Sequence, residues 1–231
     1  MKFKIEGKIF KKFPSLNIGV LVCKNINNQG ESTEILDLLV DQSNQILKEH
    51  SVETLKENSK IQVWKDAYRS FGAKKYNCSI ENLYRMILDG VKLKHINKIV
   101  DIYNYISLKY QVPVGGDDLD KVEGDITLRF ALGDEVFIRL NSDVIDHPKE
   151  GEIIYADDKE VLCRRWNWRE CNKSKMTEDS KNIMLVVEGL SPINLEDIQV
   201  ILEHLSKLIK KFCGGEVKSY FLNLLNKEIE I

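Results

Sequence analysis

The sequence predicts a single α+β domain over residues 1–231, with helices mainly in the first half and strands mainly in the second. Apolar residues recur at helical spacing in residues 34–50, 63–69 and 95–110. From Ile126 onward the period changes to two, which is the alternation of half-buried strands. Because helices and strands are segregated along the chain, the pattern favours α+β over a doubly wound parallel sheet.

Composition is that of an ordinary folded protein, with 43% hydrophobic and 30% charged residues in 231. The formal net charge of −2 provides no overall positive field, so any binding of nucleic acid depends on a local basic patch. No apolar run approaches the ~20 residues of a membrane span. The first residues lack the apolar core of a signal peptide. We therefore expect a cytoplasmic protein without a membrane partner.

Metal and cofactor motifs are not found. The five cysteines are scattered and form no C-x-x-C pair, so the sequence predicts free thiols. The four histidines are isolated from the cysteines and from one another. Phosphate-binding loops, dinucleotide fingerprints, H-E-x-x-H and G-x-S-x-G are all missing. We therefore expect no metal and no cofactor.

Secondary structure in the first half follows from short local signals. A β-rich run at 16–22 predicts a strand, and an apolar stripe predicts a helix over 34–50. A short helix is predicted around 63–69, and Phe71-Gly72 marks its end. Trp64, Tyr68 and Phe71 fall at helical spacing, and such aromatic stripes are usually core. We expect Ser79 to cap the next helix, which ends at Gly90.

The second half reads mainly as strands and turns. Gly133-Asp134 and Asp157-Asp158 predict two hairpins, and the polar segment 173–181 is expected to be the most mobile loop. Three further elements close the chain: a buried strand at 183–187, a helix from Asn194 to Phe212 and a short strand at 217–222.

The helix predicted over 95–110 carries an unusual polar stripe. Asn97, Asp101 and Asn104 lie at i, i+4 and i+7 and so share one face. Asn and Asp are poor helix formers because they compete for backbone hydrogen bonds. The stripe is therefore either a buried polar network that fixes the following loop or a solvated face.

The stretch after that helix, residues 112–120, combines two adjacent glycines with several acids. Gly115 and Gly116 allow positive φ or a close approach of another backbone or a ligand. Asp117, Asp118 and Asp120 supply more charge than a turn needs. The stretch is either a glycine-containing turn or a site. In a site, free backbone N–H groups would donate hydrogen bonds to a ligand's negatively charged oxygen, and an aspartate would orient water.

A second cluster alternates arginines with tryptophans. Arg164, Arg165 and Arg169 flank Trp166 and Trp168. Guanidinium groups bind phosphates and indoles stack on bases, so the segment is a candidate RNA-binding surface. The alternative is a strand end whose tryptophans pack inside while the arginines pair with acids.

Residues 96–105 and 111–120 together resemble the central tRNA-binding and editing domain of bacterial phenylalanyl-tRNA synthetase beta subunits. That domain typically reads I-N-N-V-V-D-I-T-N-Y followed by G-Q-P-L-H-A-F-D-L-D. The segments D-I-T-L-R-F-A and E-I-I-Y-A-D are also similar to it, and residues 62–190 carry most of the likeness. The chain looks most like free-standing proteins built on this domain. The resemblance implies a three-layer α+β fold with a β-sandwich part.

The family's pocket hydrolyses tyrosine mischarged onto the phenylalanine tRNA. By position, the resemblance implies substrate-binding roles for Asn97, Asp118, Glu135 and Ala156. It also places Gly115 where the family has a histidine, which removes the imidazole expected at the pocket edge.

Two hypotheses follow from these observations. In the first, the chain binds tRNA and hydrolyses mischarged aminoacyl-tRNA in trans, with Gly115, Gly116 and Asp117 in the catalytic site. The ribose hydroxyl of the tRNA would then assist in place of the histidine. In the second, the chain is a tRNA-binding or amino-acid-binding module that kept the pocket and lost the chemistry. The partner is tRNA or aminoacyl-tRNA in the first, and tRNA or a small amino-acid-like ligand in the second.

Overall fold

The computed structural model describes residues 1–231 and shows an α+β protein. Its helices are α1 (Gly7–Lys12), α2 (Thr33–Glu49), α3 (Val52–Glu57), α4 (Ser59–Ser70), α5 (Ser79–Leu88), α6 (Lys98–Tyr110) and α7 (Leu195–Phe212), with a short 3₁₀ turn at Leu119–Lys121. Its strands are β1 (Lys2–Ile5), β2 (Asn17–Lys24), β3 (Val114–Asp118), β4 (Ile126–Phe130), β5 (Phe137–Ile138), β6 (Ile145–Asp146), β7 (Ile153–Ala156), β8 (Val161–Arg164), β9 (Arg169–Glu170), β10 (Ile183–Gly189), β11 (Glu216–Leu222) and β12 (Glu228–Glu230).

The strands form two large sheets and one small ribbon. The six-stranded sheet has the order β12-β1-β4-β7-β8-β9, and the four-stranded sheet has the order β11-β2-β10-β3. Strands β5 and β6 pair only with each other. Every pairing is antiparallel except that of β1 with β4. Strand β3, which carries both glycines of the acidic stretch, is therefore an edge strand.

The layers follow from the alternation of side chains along β10. A Cβ at Gly189 would meet Ile193 and Ile198 near the start of α7, so this face of the sheet is covered by that helix. Side chains of successive residues leave opposite faces. The neighbouring Glu188 accordingly contacts Tyr155 of β7, in the six-stranded sheet. Helix α7, the four-stranded sheet and the six-stranded sheet thus stack in that order.

Most sequence-based elements are confirmed, and the aromatic stripe is core. Trp64, Tyr68 and Phe71 are buried, and Trp64 and Phe71 pack against the ring of Trp166. The hairpin turning at Asp157-Asp158 is confirmed as the pairing of β7 with β8. Ser79, however, is the first residue of α5 rather than its cap.

Two local predictions are wrong. Strand β4 pairs with β1 and β7, so Gly133-Asp134 does not join a hairpin between the two alternating segments. Gly115 and Gly116 lie within strand β3 rather than in a turn, and neither has a positive φ.

The mobility of loop 173–181 stays a prediction, and the structure shows where this loop is anchored. Its Ser174, Met176 and Ser180 are buried and hydrogen-bond to neighbouring segments.

Helix α7 begins at a capping box that offers a local test of stability. The Asn194 side chain accepts a hydrogen bond from the Asp197 backbone N–H at 2.9 Å, and the Asp197 carboxylate accepts one from the Asn194 N–H at 2.9 Å. We expect Asn194→Ala to lower the free energy of unfolding by about 1 kcal/mol, because one N-terminal donor loses its acceptor. Urea denaturation measures this, and Asn194→Ser should keep most of the stability. Equal losses in both variants would contradict the capping role.

Candidate functional site

The site is built around the open edge of strand β3. The Glu188 N–H donates to the Pro113 carbonyl and the Leu119 N–H donates to the Asn182 carbonyl, which fixes which residues of β3 pair with β10. Hydrogen-bonded and non-hydrogen-bonded pairs alternate in an antiparallel ladder. Gly116, opposite Leu185, therefore lies in a non-hydrogen-bonded pair. Its N–H points away from β10 and is free to donate to a ligand.

Three connected hollows surround this edge. An inner cavity of about 30 Å³ lies between β3, β10 and the 163–170 segment. A first hollow at the surface, the α6 cleft, has a volume of about 560 Å³ and is lined by residues of α6 and of the 175–179 loop. A second, the α5 cleft, has a volume of about 480 Å³ and is lined by residues of α5 and the 167–170 segment. Glu170 lines all three, so they meet at its side chain.

Glu188 forms the polar wall of the inner cavity. It accepts hydrogen bonds from the Tyr155 hydroxyl, from Trp166 Nε1 at 2.8 Å and from Asn167 Nδ2 at 2.6 Å. Asn167 is itself fixed, because its Oδ1 accepts from the Tyr68 hydroxyl at 2.9 Å. Burial raises the pKa of Glu188 to about 7, although the three donors oppose the rise. The Glu188 side chain is therefore held rigidly, and its pKa lies close to neutral pH.

Asp117 and Glu170 add two more carboxylates beside Gly115 and Gly116. Burial raises the pKa of Asp117 to about 6, assisted by the charges of Asp157 and Asp118 and opposed by a 2.5 Å hydrogen bond from Ser174 Oγ. Burial and the charge of Asp117 raise the pKa of Glu170. The inner cavity is lined by no lysine, arginine or histidine. Negative charge in the cavity is therefore balanced only by protons or by a bound cation.

Most of the arginine–tryptophan cluster is inside the protein. Arg164 is 4% exposed and pairs with Glu152 at 2.8 Å and with Asp146. Arg165 is 5% exposed, pairs with the same glutamate at 3.2 Å and stacks on aromatic rings. Trp166 has no exposed surface. Trp166 lines the inner cavity, whereas Arg164 and Arg165 line none of the three hollows. All three side chains are buried, so they are not available to phosphates or bases as the sequence-based interpretation requires.

Trp168 and Arg169 remain at the surface and line the α5 cleft. The Arg169 guanidinium lies 4.8 Å from the Trp168 ring centroid. Both side chains are within reach of a ligand that enters this cleft. The part of the predicted RNA surface that the structure keeps accessible is this pair.

Asn97 lines the α6 cleft, but its side chain serves the fold. It caps α6 by accepting from the Val100 N–H at 3.0 Å, and it donates to the Met176 carbonyl at 3.1 Å. Asp101 pairs with His95 at 2.5 Å, whereas Asn104 lines the α5 cleft. The residues of the predicted polar stripe are thus divided among a helix cap, a hydrogen-bonded pair and a cleft wall, and Asn97 fixes the 173–181 loop.

The other three predicted substrate-binding residues lie outside the hollows. Asp118 faces away from the inner cavity and accepts from Ser180 Oγ at 2.6 Å. Ala156 is buried in β7, where the ladder with β8 shifts register. The Glu135 carboxylate pairs with Arg129 and accepts the backbone N–H of Leu132 and of Gly133, each at 2.9 Å.

Glu135 is held by its turn rather than aimed at a cavity. Burial by itself would raise the pKa of this carboxyl, but the hydrogen bonds from backbone N–H groups and from Arg129 lower the pKa to about 2. It is therefore a fixed anion that stabilises residues 131–136.

Comparison with known proteins decides the family. The sequence profile of the B3/4 domain matches residues 63–214, more than half of the chain. The chain belongs to the B3/4 domain family.

Relatives of this B3/4 protein are beta subunits of phenylalanine–tRNA ligases. The subunit from Fusobacterium nucleatum is 36% identical over 104 residues, which are 45% of this chain and 13% of the relative. The subunit from Thermotoga maritima is 23% identical over 170 residues, which are 63% of this chain and 21% of the relative. The chain thus spans about an eighth to a fifth of the length of these relatives. An N-terminal fragment of the Pyrococcus horikoshii beta subunit aligns with 93% of this chain and 49% of the fragment, at 13% identity and a TM-score of 0.47.

Two acids of this B3/4 domain, Glu170 and Glu188, were not found by sequence reasoning. Glu188 had a usable signal, because it ends an otherwise apolar buried strand and a buried carboxylate requires partners. Glu170 had none, since it follows an exposed arginine in a two-residue strand. Only the fold brings it against Gly115, 55 residues earlier, where a Cβ would lie 3.2 Å from its Oε1.

The structure contains no group of three or more His, Cys, Asp or Glu side chains arranged to hold a metal ion. All five cysteines are buried and unpaired. None of the helices is long and apolar enough to cross a membrane.

Proposed function

We propose that this B3/4 protein binds the aminoacylated 3′ end of a tRNA and hydrolyses the aminoacyl ester in trans. One observation carries the proposal: a free backbone N–H at Gly116 and the carboxylates of Asp117 and Glu170 line the same cavity, where two clefts meet. Ester hydrolysis needs an oriented water and a donor to the carbonyl oxygen, and these groups can supply both. Such a substrate would place the protein in the cytoplasm.

The chemistry proceeds from the chain's own groups. Asp117, whose pKa is about 6, is mostly ionised at neutral pH and accepts a proton from the attacking water. The water oxygen bonds to the ester carbon, and the Gly116 N–H donates to the oxyanion that forms. The bond to the ribose oxygen then breaks, the proton passes to that oxygen, and the products are a free amino acid and an uncharged tRNA.

In this proposal the 3′ end of the tRNA binds in the α5 cleft. Its Trp168 offers a face on which the terminal adenine stacks, and Arg169 supplies a charge for a phosphate. Because the protein has a net charge of −2, few phosphates would be contacted and the affinity would be modest but sensitive to salt.

Deacylation and binding of a panel of correctly and incorrectly charged tRNAs test the proposal. Wild type is compared with Gly115→Val, whose side chain would displace Glu170 from the meeting point of the hollows. Gly7→Val is the matched control, since a Cβ there would meet nothing within 4 Å. We expect selective hydrolysis by wild type and by the control, and a loss of about tenfold or more in Gly115→Val, which corresponds to about 1.4 kcal/mol.

A second function is favoured by one specific observation. The Glu170 carboxylate stands in the space that a side chain at residue 115 would use. Residue 115 is the position at which the resemblance to the synthetase domain implies a histidine. A binding module that recognises aminoacyl-tRNA without hydrolysis would keep the cavity and use Glu170 for contact alone. Salt-sensitive tRNA binding without hydrolysis would select this function. Absence of both signals would contradict both functions.

A further inference from the structure

The inner cavity is too small for an aromatic side chain. Its volume is about 30 Å³. An apolar cavity that binds benzene has about 150 Å³, whereas a cavity that holds one water needs roughly 10–15 Å³. A methyl, hydroxymethyl or ammonium group can therefore enter, but the ring of phenylalanine or tyrosine cannot.

The cavity cannot easily enlarge, because its walls are held in place. Tyr155 and Trp166 are buried and both donate to Glu188. Trp166 also packs edge-on against Phe13 and Trp64, with ring centroids 4.8 and 5.0 Å away. Moving either wall would leave a buried carboxylate short of a donor, which is costly.

One polar group of the cavity has no hydrogen-bond partner, and a second has only a weak thiol donor. Ser79 Oγ is buried and makes no hydrogen bond in the structure. The partly buried Glu170 carboxylate accepts from no N–H or O–H group of the protein; its only side-chain donor is the Cys163 thiol. Buried polar groups are normally satisfied, so unpaired ones at a cavity wall indicate where a ligand's polar groups bind.

From this arrangement we infer that Glu170 binds the α-ammonium group of the aminoacyl ester, and that the inner cavity selects small side chains, with serine the best fit, over aromatic ones. The inference rests on the proposed function and names the substrate class of that site. Glu170 lies at the mouth of the cavity, where an ammonium group and the ester can be reached from the same amino acid. Ser79 Oγ would pair with the hydroxyl of a seryl group.

Binding of stable amide analogues tests this assignment without requiring hydrolysis. The probes are the seryl and phenylalanyl amides of 3′-amino-3′-deoxyadenosine, together with the 3-hydroxypropionyl amide, which is the seryl probe without its amino group. Calorimetry with wild type should show the seryl probe binding at least about tenfold more tightly than either other probe. In Glu170→Gln the seryl and 3-hydroxypropionyl probes should bind alike.

Glu203→Gln is the matched control, since it makes the same chemical change on the exposed face of α7 and should leave all three affinities unchanged. Glu170→Gly removes the ammonium contact for both amino-bearing probes and enlarges the mouth of the cavity, so it should reduce the preference for the seryl over the phenylalanyl probe. Thermal unfolding of each variant establishes that it is folded. Equal binding of the seryl and phenylalanyl probes by wild type, or an undiminished effect of the amino group in Glu170→Gln, would overturn the inference.

The two proposals can fail separately. If charged tRNAs are hydrolysed or bound without preference for small aminoacyl groups, the inference about Glu170 and the cavity falls while the proposed function stands. If neither the tRNAs nor the amide probes bind, both fall together.

Discussion

Replacing Gly116 by alanine is expected to lower the free energy of unfolding by at least about 3 kcal/mol, a large effect for one methyl group. The added Cβ would lie 1.9 Å from the Met184 carbonyl oxygen and 2.9 Å from Leu185 Cα. Both atoms belong to the backbone of β10, which is held between β2 and β3 and cannot move aside. Strand β3 would have to leave the sheet. Urea denaturation followed by circular dichroism measures the loss.

Gly115→Ala is the matched control for this substitution. The nearest atom to the new Cβ is Glu170 Oε1 at 3.2 Å, and that atom is the end of a flexible side chain. We expect its unfolding free energy to stay within about 1 kcal/mol of wild type. Similar losses in the two variants would mean that the close approach of β3 to β10 is not what excludes a side chain at Gly116.

The second large effect is a fall in stability as pH rises from about 5 to 7. The pKa of Glu188 is raised from 4.5 to about 7 in the folded protein. Between these values the folded state binds more protons than the unfolded state, so the free energy of unfolding falls as pH increases. The stabilisation is complete below pH 4.5 and is lost above pH 7. Its size is on the order of 3 kcal/mol.

Glu188→Gln isolates this contribution. Residue 188 no longer titrates in this variant, so its stability should change less between pH 5 and 7 than that of wild type. The remaining slope includes contributions from Asp117 and Glu170, whose pKa values are also raised, and an opposite one from His204, whose pKa is lowered. At pH 5 the variant should be less stable than wild type by about 1–3 kcal/mol, because a glutamine NH₂ group would face Asn167 Nδ2 and one acceptor is lost.

Urea denaturation at four pH values from 5 to 8 gives both quantities. Glu203→Gln, on an exposed helix face, should follow the wild-type curve. Parallel curves for wild type and Glu188→Gln would contradict the raised pKa of Glu188.

Local signals predicted most of the fold. The Asn194 cap, the aromatic stripe of α4 and the turn at Asp157-Asp158 depend on residues close together in sequence, and all three are present. The hairpin at Gly133-Asp134 failed because the partners of β4 are distant in sequence. Alternation shows that a segment is a strand, but not which strand it pairs with.

The candidate site was predicted only in part, for a related reason. Gly115, Gly116 and Asp117 do meet at a cavity. Arg164 and Arg165, however, are buried because both pair with Glu152, 12 residues before Arg164, and Arg164 also pairs with Asp146. Whether an arginine pairs with an acid or reaches solvent depends on tertiary contacts. A segment's composition does not contain that information.

The pairing of β1 with β12 has a consequence for how the protein is made. Lys2 lies opposite Glu230, and β2 lies between β11 and β10, so both large sheets need strands from the two ends of the sequence. A peptide of the matched residues 63–214 would lack β2. One edge of the apolar strand β10 would then be unpaired, and the peptide would be prone to aggregate. During translation neither sheet can close until residues 216–230 have left the ribosome. Until then the edge of β2 that β11 covers is unpaired, so strands of other chains can pair with it.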